Sequence, residues 1–347
     1  MAPLPRGDRR APSLDRADRA TRAGRPGRVR RTVLAALVTA AVAVPVAGAA
    51  RPAEVPAPAP AATAPLTATE PTALAAQLDA RYAAGRTALR AAERTADAYG
   101  AHRRAASLHA MAAPGRQVLS FDGRDGGRGV EVVGDLARAD RIAVLVPGAD
   151  TGLDTGYARL RSGAVALHDT LRDEFGARAA VVTWLGYRPP ATGSAASLTP
   201  GRADQAAPRL RAFVRELRNV RPDARITLLG HSYGSVVCAL AADGLPADAV
   251  VLYGSPGTTF DRAADLRARA VVWAGRAAGD WTADVPHVGL TLLPGTELGF
   301  GADPMDPAFG ARRFAAGDGG HSDYLTPGSV PLRSLALITD GREPARA

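Results

Sequence analysis

The residues that invite chemistry are a serine, a histidine and an aspartate far apart in the chain. Ser232 stands in Gly230-His231-Ser232-Tyr233-Gly234, between the apolar run ITLLG and the helix-like stretch SVVCALAAD. Strand, sharp turn and helix form the context that presents a serine hydroxyl as a nucleophile, since the flanking glycines let the backbone bend where side chains would collide. The start of the helix favours negative charge developing beside it. A hydroxyl stays a weak nucleophile until a base removes its proton. After Ser232 the chain carries two histidines: His321, in the glycine-rich GDGGHSDYL, is the expected base, and His287 is the reserve. A third group must orient the imidazole and stabilise its cation. The run AVVWAG leads into RAAGDWTAD, where Asp280 lies nearer the end of the run and Asp284 is the alternative. Asp261 and Asp265 read as helix-start or surface charges. Two backbone amides should receive an oxyanion. These are the amide of Tyr233, directly after the serine, and that of Ala149 in VLVPGADTG, with Asp150 as fallback.

Such residues need a scaffold that brings them together. Short apolar runs recur at 117–121, 130–134, 142–148, 179–186, 226–230, 249–254 and 270–275, separated in part by helical patterns such as 203–219. Runs this apolar suit strands covered on both faces of a mainly parallel sheet, and the first two, with no helix between them, suit an antiparallel hairpin at its edge. The expected class is α/β, a doubly wound sheet with helices on both faces over residues 114–342. In such sheets ligands bind beyond the carboxyl ends of strands, where Ser232, Asp280 and Ala149 all fall. Residues 73–113 read as helices with Leu74, Leu78, Tyr82, Leu89 and Ala92 near one face, broken at Gly85 and Gly100. Residues 51–72, rich in alanine and proline, read as a linker.

The N-terminal composition leads us to expect a secreted or extracytoplasmic protein, or one anchored to a membrane by residues 33–50. The first 31 residues hold ten arginines and three aspartates, so +7 of the formal +9 sits in this leader, which weakens a nucleic-acid reading. The apolar run Val33–Ala50 follows Arg30 and Arg31 and ends in a small-x-small pattern, so residues 1–50 read as an export signal, by the general or twin-arginine route, or as a membrane anchor. The single cysteine forbids an intramolecular disulfide, and Cys238 falls in an apolar helix pattern as a buried, inert thiol.

The ordered segments LVPGADTG, TWLGYRPP, LLGHSYGSVV, YGSPG, AGRAAGDW and GGHSDYL resemble a family of exported or membrane-associated α/β-hydrolases of high-GC bacteria, largely of unassigned substrate, with a helical N-terminal segment. The resemblance covers about residues 115–340 and implies an α/β-hydrolase fold with Ser232, Asp280 and His321 as a triad. Arg188 stands where that family usually carries an acidic residue. Trp184, Tyr187 and Arg188 are expected to touch substrate, with 186–201 as a short cap and 295–314 as a second wall. The expected activity is hydrolysis of short to medium acyl esters without metal or cofactor; acyl transfer by the same triad and an inactive envelope binding protein are the alternatives.

Overall fold

The computed structural model describes residues 55–60, 62–287, 289–293 and 296–347, so the export signal or anchor read in residues 1–50 lies outside the described residues. Among the described residues ten strands are formed: β1 (Gln117–Asp122), β2 (Arg128–Gly134), β3 (Arg141–Val146), β4 (Ala179–Leu185), β5 (Arg225–His231), β6 (Ala249–Tyr253), β7 (Val271–Gly275), β8 (Gly289–Leu293), β9 (Thr296–Gly299) and β10 (Arg312–Arg313). Eight of them make one sheet in the order β1-β2-β4-β3-β5-β6-β7-β10. The β1–β2 hairpin joins antiparallel at the edge, and every pair from β4 to β10 is parallel.

The apolar runs carry no polar face because both sides of each central strand are covered. In β3, Ile142, Val144 and Val146 enter one core while Ala143 and Leu145 enter the other. Helices α3 (Tyr157–Phe175) and α6 (Val330–Asp340) supply Leu167, Leu171, Leu332 and Leu335 to one core. The opposite core takes Leu210, Val214 and Leu217 from α4 (Gly201–Val220), with Val236 and Cys238 from α5 (Tyr233–Ala241). Each leucine there has no exposed surface, and its truncation to alanine would cost about 2–5 kcal/mol. Cys238 is buried, and that burial pushes its thiol well above the ordinary range.

The N-terminal helices are α1 (Pro71–Ala98) and α2 (His102–Met111). Glu70 caps α1 by accepting from the amides of Thr72 and Ala73. Gly85 does not break this helix as its type suggested. It marks the crossing over β1, where a Cβ would lie 2.4 Å from the Val118 carbonyl. Gly100, at φ +82°, does end it. Leu66, which the composition assigned to the linker, is buried in the core, and its amide donates to Glu216 at 3.0 Å. Among the described residues no helix is long and apolar enough to cross a membrane.

Candidate active site

Ser232 follows β5 directly and is the N-cap of α5, at φ +52° and ψ −127°. A non-glycine residue held there stores about 1–3 kcal/mol, so the surroundings must dictate the turn. They do so through packing and hydrogen bonds. A Cβ at Gly234 would lie 2.2 Å from the Val146 carbonyl, and one at Gly230 would lie 2.8 Å from the Gly234 carbonyl. The Ser232 amide donates to the Tyr253 carbonyl at 3.0 Å, and the Ser235 hydroxyl donates to the Ser232 carbonyl at 2.5 Å.

His321 arrives on the irregular segment before α6. Its Nδ1 donates to Oδ1 of Asp280 at 2.8 Å, which leaves Nε2 as the nitrogen open to proton transfer. Asp280 is 2% exposed and also accepts from the Thr282 amide, the Thr282 hydroxyl and the Tyr324 phenol, at 2.9, 2.8 and 2.5 Å. Burial alone would raise its pKa; the bonds from His321, Tyr324 and Thr282 outweigh that and hold the carboxyl below the usual carboxylate range. Asp284 is exposed on the same turn. His287 sits apart, 3.4 Å from Asp303, and burial pulls its pKa down. Ser232 and His321 line one cleft of about 470 Å³, without a direct hydrogen bond between hydroxyl and imidazole. That contact is commonly long in unliganded sites and tightens when the reacting carbonyl is bound.

The loop after β3 presses against the serine: a Cβ on Gly148 would lie 2.5 Å from that of Ser232. Ala149 lines the cleft. The Asp150 amide donates to the Pro190 carbonyl at 3.0 Å, which removes it as an oxyanion donor. The Asp150 carboxylate accepts from the Thr192 amide at 2.9 Å, tying the 186–201 segment to this loop. Of that segment Thr192 alone lines the cleft.

Three expected substrate contacts are not there. Trp184 is buried in the core, where it stacks on Tyr187 at 6.2 Å. Tyr187 is also buried and donates to the Pro147 carbonyl at 2.6 Å, so it buttresses the loop from behind. Arg188 is exposed beside Gly126 of the β1–β2 turn. The second expected wall is absent as well, since none of the described residues of 295–314 lines the cleft. Phe300 instead accepts from the Thr258 and Thr259 amides, and Asp303 pairs with Arg276 at 2.9 Å. The cleft is walled by Arg159 and Leu160 of α3, Trp281, and Leu325.

His231 went unread in the sequence, although it directly precedes the serine. Its Nε2 donates to the His321 carbonyl at 2.7 Å, joining the turn that holds the serine to the segment that holds the imidazole. Burial pushes its pKa down to about 3, with His321 adding to the effect, so the ring stays neutral. Among the described residues no group of His, Cys, Asp or Glu is placed to hold a metal ion.

A parallel sheet carrying a strained serine between β5 and its helix, faced by a histidine–aspartate pair, defines the α/β-hydrolase fold. A family model described as alpha/beta hydrolase matches residues 122–290, which include Ser232 and Asp280. An uncharacterized protein of Mycobacterium tuberculosis (strain CDC 1551 / Oshkosh) is 30% identical over 266 residues, 66% of this chain and 39% of its own length. One of Mycobacterium bovis is 35% identical over 145 residues, 39% of this chain and 54% of its own. The chain thus spans about two fifths to one half of these relatives. Among solved structures, an α/β serine hydrolase without lid from Xanthomonas campestris aligns with TM-score 0.42 at 19% identity, covering 68% of this chain and 98% of that one. A serine hydrolase homologue from Coxiella burnetii aligns with TM-score 0.37 at 12% identity, covering 65% and 96%.

Proposed function

We propose that this chain is an exported serine hydrolase that cleaves carboxylic esters of short to medium acyl groups through an acyl-enzyme on Ser232. The observation that carries the reading is the Asp280–His321 hydrogen bond, formed across 41 residues of sequence in the same cleft as a strained, glycine-flanked serine. In this mechanism the Ser232 oxygen attacks the ester carbonyl carbon while its proton passes to Nε2 of His321. The carbonyl electron pair moves onto oxygen, facing the amides of Ala149 and Tyr233. Collapse of that intermediate breaks the bond to the alcohol oxygen, which takes the proton from His321. A water molecule then repeats the sequence on the acyl-enzyme, returning the proton to Ser232 and releasing the acid. Asp280 holds the imidazole in the tautomer that leaves Nε2 free and stabilises its cation. The small open cleft supports compact acyl groups, and the leader composition supports export.

The test compares purified protein with Ser232→Ala on short-chain nitrophenyl esters, alongside labelling by a fluorophosphonate. Turnover should fall by about 10⁶-fold and labelling should vanish. Equal rates for the two proteins would reject Ser232 as nucleophile. Absence of labelling in the parent would favour a hydrolase fold used for binding.

A further inference from the structure

The three tryptophans of the chain are not treated alike. Trp184 and Trp273 are 2% and 6% exposed, whereas Trp281 is 50% exposed, although it directly follows the buried Asp280. Its ring centroid lies 4.6 Å from that of His321, and it lines the cleft with Ser232. Its backbone is fixed: Trp281 opens the short turn that Asp280 caps through the Thr282 amide, so the contact that holds the carboxylate also sets the backbone from which the indole projects. His321 does not depend on this ring for its position, being tied through its Nδ1 to Asp280 and through its carbonyl to His231. The indole, half exposed, is left as an apolar surface on the border of the cleft that holds Ser232. Leu160 and Leu325 add apolar surface to the same cleft, and Leu325 packs tightly over Gly163 of α3.

Chemistry decides which part of an ester meets that surface. The nitrogen that protonates the departing oxygen must stand beside it, while the oxyanion donors stand on the other side of the carbonyl. Trp281 neighbours His321, whereas Ala149 lies on the loop after β3 and Tyr233 is the first residue of α5. We therefore propose, resting on the ester-hydrolase reading above, that Trp281 is a specificity-determining residue that stacks the alcohol portion of the substrate, and that the preferred substrates are esters of aromatic alcohols. A flat ring gains from the indole face beyond simple burial, whereas a long alkyl chain would lie largely in water in so open a cleft.

The experiment compares kcat/KM for benzyl, cyclohexylmethyl and methyl acetate, whose leaving alcohols have similar basicity, in the parent protein, Trp281→Ala and Trp281→Phe. The benzyl-to-cyclohexylmethyl ratio should exceed one in the parent, fall about three- to tenfold in Trp281→Ala through KM, and be largely kept in Trp281→Phe. Lengthening the acyl group to butyrate should leave that change in ratio the same. An equal loss on all three esters, or an unchanged ratio, overturns the proposal. A second readout does not depend on turnover: in Ser232→Ala, benzyl alcohol should shield the exposed indole from acrylamide quenching, and methanol should not. If no ester is cleaved in a Ser232-dependent way, the hydrolase reading fails while shielding still supports the aromatic subsite. Cleavage without shielding removes the subsite and leaves the hydrolase standing.

Discussion

Two buried carboxylates in this molecule look alike but bind different partners. Asp280, after β7, accepts from His321, Tyr324 and Thr282. Glu131, on β2, has no exposed surface and accepts from Arg116, from Arg161 at 3.0 Å and from the Tyr157 phenol at 3.2 Å. Each is clamped by an aromatic hydroxyl and by at least one cationic or protonatable side chain, and burial raises both phenols above their ordinary range. The difference lies in the partner. A guanidinium keeps its protons at any working pH, so the Glu131 cluster can only join α3 to the β1–β2 edge. An imidazole can both donate and accept a proton, and His321 opens onto a cleft with a serine in it. Burial and dense hydrogen bonding therefore do not by themselves mark an active site. What sets the two apart is an imidazole beside a serine hydroxyl in an open cleft.

Substitutions can break that contrast, beginning with the largest effect. Asp280→Asn removes the acceptor that selects the His321 tautomer, and kcat on a nitrophenyl ester should drop by about 10⁴-fold while the fold persists. Glu131→Ala should do the reverse. It leaves Arg116 and Arg161 without a carboxylate, so the urea midpoint should fall by the equivalent of about 3 kcal/mol, with kcat of the folded protein unchanged. A comparable loss of kcat in Glu131→Ala would erase the distinction between the two sites.

His231 sharpens the comparison with a smaller effect. His231→Ala should cost roughly 10- to 100-fold in kcat with little change in KM, by loosening the His321 segment, and His231→Gln, which keeps an N–H donor, should recover part of the loss. The same ring predicts an acid-side stability slope. Its pKa falls from 6.5 to about 3 on folding, so below pH 6.5 the unfolded chain binds a proton that the folded chain refuses. Stability is then lost as pH falls through that window, by about 1.4 kcal/mol per pH unit from this group. Urea midpoints between pH 7 and 4 should show a flatter slope in His231→Gln than in the parent.

Much of the architecture is legible in the sequence. All seven apolar runs are strands, and the five parallel ones, covered on both faces of the sheet, carry the continuous apolar signature that such burial leaves. The turn at Ser232 was legible for a local reason too, since paired glycines around a serine after a strand admit few conformations. The pocket was not legible. Trp184 and Tyr187 sit at a strand end, as substrate contacts often do, but both are buried behind the site. Along a strand each step of one residue reverses the face, and nothing local says which face borders the cleft.

What the sequence determined by itself was the set of elements and the chemistry they could carry: the strands, the strained serine, and the order serine, aspartate, histidine. The tertiary structure alone decided that Asp280 rather than Asp284 meets His321, that Asp150 spends its amide on Pro190, and that Trp281 rather than Trp184 borders the serine. The physical reason is range. Periodicity and turn chemistry act over a few neighbouring residues, whereas the path of a loop is set by hydrogen bonds to partners tens of residues away, whose positions exist only once the sheet has formed.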